Sequence, residues 1–214
     1  MNLYYPKLYI LNYAYDVPHK YFAVYDHEKC ATENVIFMSG KRLPKPDVGK
    51  LRYSQDPSTY DLVYSVNAER TELSKYDYLP SSPAPIVNKR ILDVLLELCP
   101  DDFQFFPVII ESGSKVKTAF IIENEYWLIN INKLVDALDL ENSELTFSHE
   151  NEVEDIRYIL LKEQLLSSEK IHLARERSYR GLMLASPELK NAFVKHKIKG
   201  CQFLTDEQYN KFSF

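Results

Sequence analysis

The segment Ile171–Phe203, IHLARERSYRGLMLASPELKNAFVKHKIKGCQF, limits the fold more than any other part of the chain. It reads as a strand, a short helix and a closing strand, with start and stop signals on the helix. Ser186 has the hydroxyl of an N-cap, and Pro187 suits the first helical position, where a missing N–H costs nothing. Leu189, Ala192 and Phe193 share one helical face, Lys195, Lys197 and Lys199 gather at the C-terminal end of the dipole, and Gly200 is the expected left-handed stop. A helix this short, tied to strands on both sides, belongs to an α+β domain.

A second helix is predicted after the proline-rich stretch Leu79–Asn88, LPSSPAPIVN, with Asn88 as its cap and Pro100 as its limit. Ile91, Leu92, Val94, Leu95, Leu96 and Leu98 make it apolar around most of its girth, the pattern of a core helix. The runs 104–111, 116–123 and 126–131, joined by ESGSK and NE, are spaced too closely for parallel crossovers and predict an antiparallel meander. Asn132 is expected to cap a short helix through Leu138, and 155–162 and 169–175 are expected as further strands. Before residue 85, β-favouring runs at 7–15, 21–25, 35–38 and 61–67 surround a loop at 39–60. The expectation is α+β, with largely antiparallel sheet or sheets and a few packed helices. A soft boundary separates a tyrosine-rich β-type subdomain, 1–85, from an α+β unit, 86–214, unless the two form one unit.

The chemistry of the chain is defined mainly by what it lacks. Its five glycines never approach G-x-G spacing, so neither a dinucleotide fingerprint nor a phosphate-cradling loop can be written; G-x-S-x-G and H-E-x-x-H are also missing. His27, beside Asp26 and Glu28, reads as a polar turn rather than a metal or acid–base site. Arg175, Arg177 and Arg180 could clamp a phosphate or carboxylate, but RERSYR equally fits a strand and turn with a solvated face. Cys30, Cys99 and Cys201 are odd in number and scattered, which favours a reducing, cytoplasmic setting, with Cys99 and Cys201 as small core residues. No cofactor is expected. The N-terminus has neither the basic leader nor the cleavage site of a signal peptide, and no apolar run suits a bilayer.

Charge is the remaining signal. The net charge of −5 argues against nucleic acid as partner. Between Leu134 and Ile156 there are eight acidic residues and no Lys or Arg, whereas Lys162–Lys199 carries nine basic residues against four acidic ones. Unrelieved carboxylates repel one another, and a basic protein would relieve them. Asp136, Asp139, Glu141, Glu144, Glu150 and Glu152 are therefore the candidate partner-binding residues, against the alternative of a solvated loop. The tyrosine-rich N-terminal region, with Tyr4, Tyr5, Tyr9, Tyr13 and Tyr15, is the next candidate surface.

Several of these features together resemble immunity-protein family eleven of bacterial polymorphic toxin systems, formerly a domain of unknown function. They are the apolar strand ending in Leu128–Asn132, LININ, with its continuation Val135-Asp136-Ala137-Leu138, the Arg175–Arg180 stretch, and Ser186, Leu189, Lys190, Ala192 and Gly200–Phe203. The likeness runs from Ile86 to Phe203; the family's aromatic–arginine step is Ala174-Arg175 here. It implies a cytoplasmic protein, encoded beside a toxin, that binds and neutralises it by protein–protein contact and is not an enzyme. The rival readings are a small hydrolase or transferase assembled from residues such as Asp16, Asp26, His27 and Arg175, and a regulatory module with another protein partner.

Overall fold

The computed structural model describes residues 3–30, 37–43, 62–82, 84–147, 153–167 and 170–212. The N-terminal part supplies β1 (Leu3–Pro6), β2 (Tyr9–Tyr13), a 3-10 turn at His19–Tyr21, β3 (Val24–Tyr25), β4 (Val63–Val66) and α1 (Arg70–Leu73). Then come β5 (Tyr78–Leu79), β6 (Ile86–Asn88), α2 (Lys89–Leu98), β7 (Phe103–Ser112), β8 (Ile121–Ile131) and β9 (Leu134–Val135). The last part holds β10 (Glu144–Phe147), β11 (Val153–Tyr158), β12 (Gln164–Ser167), β13 (Leu173–Glu176), β14 (Met183–Ala185), α3 (Pro187–Lys195), β15 (Cys201–Leu204) and α4 (Asp206–Phe212).

The architecture is α+β. A six-stranded sheet runs β3-β4-β7-β8-β6-β5 and a five-stranded sheet runs β15-β2-β14-β13-β9, while β1-β12 and β10-β11 form two-stranded pieces. Pairing is antiparallel except at β4–β7 and β13–β9. Both main sheets take strands from either side of residue 85: β2 lies between β15 and β14, and β4 pairs with β7. The proline-rich stretch contributes to β5 and β6 of the six-stranded sheet, with Leu79, Ala84, Ile86 and Val87 at most 2% exposed and Ser82 exposed.

Side-chain alternation divides the five-stranded sheet between two cores. Leu11, Leu173 and Ala185 face the layer that holds α2 and α3, where Ile91, Leu95, Leu189 and Phe193 also pack. Their neighbours Ile10, Ala174 and Leu184 face the opposite side, with Val135, Leu138, Ile159 and Leu161. This period of two is what strand geometry dictates for a sheet buried on both faces. Asn88 caps α2 by accepting the N–H groups of Arg90 and Ile91, and Ser186 caps α3 by accepting that of Leu189, as the sequence implies.

Other expectations are corrected. The meander has two strands, not three: 116–120 lies outside the strands, and Asn124-Glu125 falls inside β8 as a bulge, with Asn124 at φ +61°. No helix follows Asn132; Leu134 and Val135 form β9, and the next amides are held elsewhere, as described below. The stretch 155–162 is a strand only to Tyr158, and 169–175 is replaced by β13. Most of the 39–60 loop and part of 35–38 lie outside the described residues. The helix of α3 ends at Lys195, and Lys197 takes the left-handed conformation (φ +52°) ahead of Gly200. The positive φ of Gly200, +97°, serves a close approach instead: a Cβ there would lie 2.5 Å from the Tyr78 carbonyl oxygen.

Candidate partner-binding surface

The acidic segment leaves the five-stranded sheet at its β9 edge. Its path is set by Glu176, which is 1% exposed at the end of β13. Glu176 Oε2 accepts the N–H groups of Ala137 (2.7 Å) and Leu138 (3.0 Å), and Oε1 accepts that of Ser178 (3.1 Å). Those two amides would otherwise need helical carbonyl partners, so the buried carboxylate replaces the expected helix with an extended exit.

The candidate carboxylates differ in their surroundings. Exposed Asp136 meets Arg177, with Nε 2.9 Å from Oδ1, so a cation just past the end of β13 reaches a stretch that has none of its own. Asp139 closes a turn by accepting the backbone N–H and the side-chain amide of Asn142, and the Asn142 side chain holds its carboxyl below the usual range. Glu141 and Glu144 are exposed and make no ion pair among the described residues. Glu150 and Glu152 lie outside the described residues.

Beyond the turn the chain forms the β10–β11 hairpin. Leu145 and Ile156 are directly opposed and pack their side chains onto the core beneath the sheet. The flanking pairs, Glu144 with Tyr158 and Thr146 with Asp155, are exposed. Three large apolar side chains accompany the carboxylates: Leu140 and Phe147, each 46% exposed, and Tyr158, 37% exposed. Single exposed apolar residues are ordinary, but two within this acidic segment and a third just beyond it resemble the apolar centre and polar rim of an interface. The sequence holds the signal in Leu140, set between Asp139 and Glu141, and in Phe147, set among polar neighbours.

The other sequence candidates lead to structural roles. Arg175 is 1% exposed and its Nη1 donates to the Arg180 carbonyl at 2.6 Å, whereas Arg177 and the Arg180 side chain are outside, so the three do not converge as a clamp. Asp26 accepts the N–H groups of Glu28 and Lys29 in a turn, and His27 packs edge-on against Tyr25. Asp16 is exposed in a separate turn. Burial pushes the Cys99 thiol up to about 12, which makes it a poor nucleophile. Tyr9 lies under the Lys190 ammonium (3.8 Å from the ring centre) and Tyr13 packs edge-on against Phe22; the side chains of Tyr4 and Tyr5 are not described.

Asp102, His172 and Ser186 come together unannounced by the sequence, but not as a catalytic triad. Asp102 Oδ2 accepts the backbone N–H groups of His172 (3.1 Å) and Leu173 (3.0 Å) rather than a ring N–H. His172 Nδ1 lies 2.9 Å from the Ser186 hydroxyl, which is 2% exposed as a residue and already caps α3. A serine nucleophile has to reach substrate, and this one is enclosed.

Charge is segregated across the five-stranded sheet. The acid-only segment departs from the β9 edge, while Lys195, Lys197 and Lys199, all exposed, lead into β15 at the other edge. No helix among the described residues is long and apolar enough to cross a membrane. No curated protein matches the chain. A family pattern does match, over residues 16–207, which takes in the six-stranded sheet, every strand of the five-stranded sheet except β2, and the acidic segment. This chain belongs to the immunity protein family Imm11.

Proposed function

We propose that this protein neutralises a cognate bacterial toxin by binding it directly in the cytoplasm of the cell that makes both, and that it does so without catalysis. The surface is the acidic segment: Asp136, Asp139, Glu141, Glu144, Glu150 and Glu152, with Leu140, Phe147 and Tyr158 among them. Membership of an immunity family supports the toxin as partner. The observation that carries the choice of surface is that exposed Asp136, Glu141 and Glu144, with exposed Leu140, Phe147 and Tyr158, run from the β9 edge into one hairpin. Such a surface draws a basic partner by its field and holds it by desolvated contacts.

Stoichiometry tests the reading. Toxin activity is titrated with this protein, the toxin being the one encoded beside it. A binder gives a linear loss of activity that ends at equimolar protein, with the two recovered as one complex. Full neutralisation at a small fraction of an equivalent, with no complex recovered, would mean that the protein modifies the toxin or its product as an enzyme.

A further inference from the structure

The two strands of the exposed hairpin differ at their edges. In the register, Glu144 faces Tyr158 and Leu145 faces Ile156, so Arg157 is an extra residue; Thr146 faces Asp155 and Phe147 faces Val153, so Glu154 is another. Both irregularities therefore fall in β11, and β10 keeps four consecutive paired residues. Among the described residues β10 pairs with β11 alone, which leaves its second edge without a strand. Exposed edges of natural sheets are guarded by bulges, lysines or prolines. β11 has the bulges and the exposed Arg157; β10, Glu-Leu-Thr-Phe, has no bulge, lysine or proline, its one charge is Glu144, and Thr146 and Phe147 favour strands.

We propose that the outer edge of β10 is the docking edge for an extended, lysine- or arginine-bearing segment of the toxin, which adds to the β10–β11 hairpin as a third strand. This rests on the toxin-binding reading above and names how that surface is used. Backbone hydrogen bonds along Glu144–Phe147 supply the pairing, as in other strand additions, and side chains set the choice of partner. Glu141 and Glu144, both exposed, favour a basic strand at this edge, with Asp155 across from Thr146 on the neighbouring strand, while Arg157 tempers the charge on the β11 side. Phe147 at one end and Tyr158 beside Glu144 at the other offer apolar contacts to its alternate residues. A second copy of this chain fits poorly, because it brings together two edges that both carry the exposed carboxylates of Glu141 and Glu144.

Amide hydrogen exchange of the full-length protein, alone and in complex with the toxin, is the test. Strand addition slows exchange at the outward-facing amides within 144–147 at least tenfold on complex formation, at every protein concentration. A stable complex that leaves 144–147 exchanging as in the unbound protein overturns the strand inference and leaves toxin binding standing. Protection of 144–147 that rises with concentration in the unbound protein assigns the edge to self-pairing and overturns the choice of a basic partner. Failure to form any complex overturns the toxin-binding reading and this inference with it.

Discussion

At the scale of single residues, buried polar groups settle where the chain goes. Glu176 accepts three backbone N–H groups from a position that is 1% exposed. Glu176→Gln would turn an amide N–H₂ toward at least one of those donors and remove the charge that strengthens the bonds. The expected loss is about 1–3 kcal/mol, read as a lower urea midpoint at unchanged slope. His172 gives a pH dependence. Burial, aided by Lys170, holds its pKa below the ordinary value, and Nε2 has no hydrogen-bond partner among the described residues. The folded imidazole therefore stays neutral while the unfolded chain takes up a proton below about pH 6.5. Stability is unaffected above that pH and falls as pH drops below it, by at most about 1.4 kcal/mol per pH unit from this group. Denaturation curves at pH 7.5 and 5.5, for the parent and His172→Asn, check the sign, and the parent should lose more.

The elements show where local signals suffice and where they fail. Asn88 and Ser186 sit where caps must sit because a cap is a contact between near neighbours. The end of α3 was less legible: the lysines and Gly200 mark the end of a helix, yet Lys197 takes the left-handed conformation while Gly200 is needed for its approach to Tyr78. The two positions should respond in opposite directions. Gly200→Ala incurs about 1–3 kcal/mol of backbone strain before the contact with the Tyr78 carbonyl is counted, so the thermal midpoint falls. Lys197→Gly relieves a left-handed non-glycine residue and should raise stability by up to about 1 kcal/mol. Asn132 and the pair Asn124-Glu125 misled for a different reason. Both carry turn and cap chemistry, but a carboxylate on β13 and a long strand pairing with β7 decided their geometry, and neither is visible locally.

For the whole molecule, α+β order and antiparallel dominance follow from the spacing of apolar runs, while the mixing of distant strands does not. Because β2 and β4 complete sheets built mostly from later residues, we expect residues 1–85 and 86–214 to unfold together. Urea transitions followed by far-UV circular dichroism and by the fluorescence of Trp127, the only tryptophan, should coincide; two separated midpoints would restore a boundary near residue 85. The acidic segment was legible as charge alone, since a run without Lys or Arg is plain in any sequence. That it leads into a hairpin bearing Glu144, Phe147 and Tyr158 depends on pairing that charge does not reveal. The central claim, that this surface receives the toxin, is tested most directly by the association rate at low and physiological salt, with Glu141, Glu144, Glu150 and Glu152 all changed to Gln. Steering by carboxylates predicts that the variant associates severalfold more slowly at low salt and that its rate depends less on ionic strength than the parent's. Equal rates and equal salt slopes would contradict the account and place the toxin on another face.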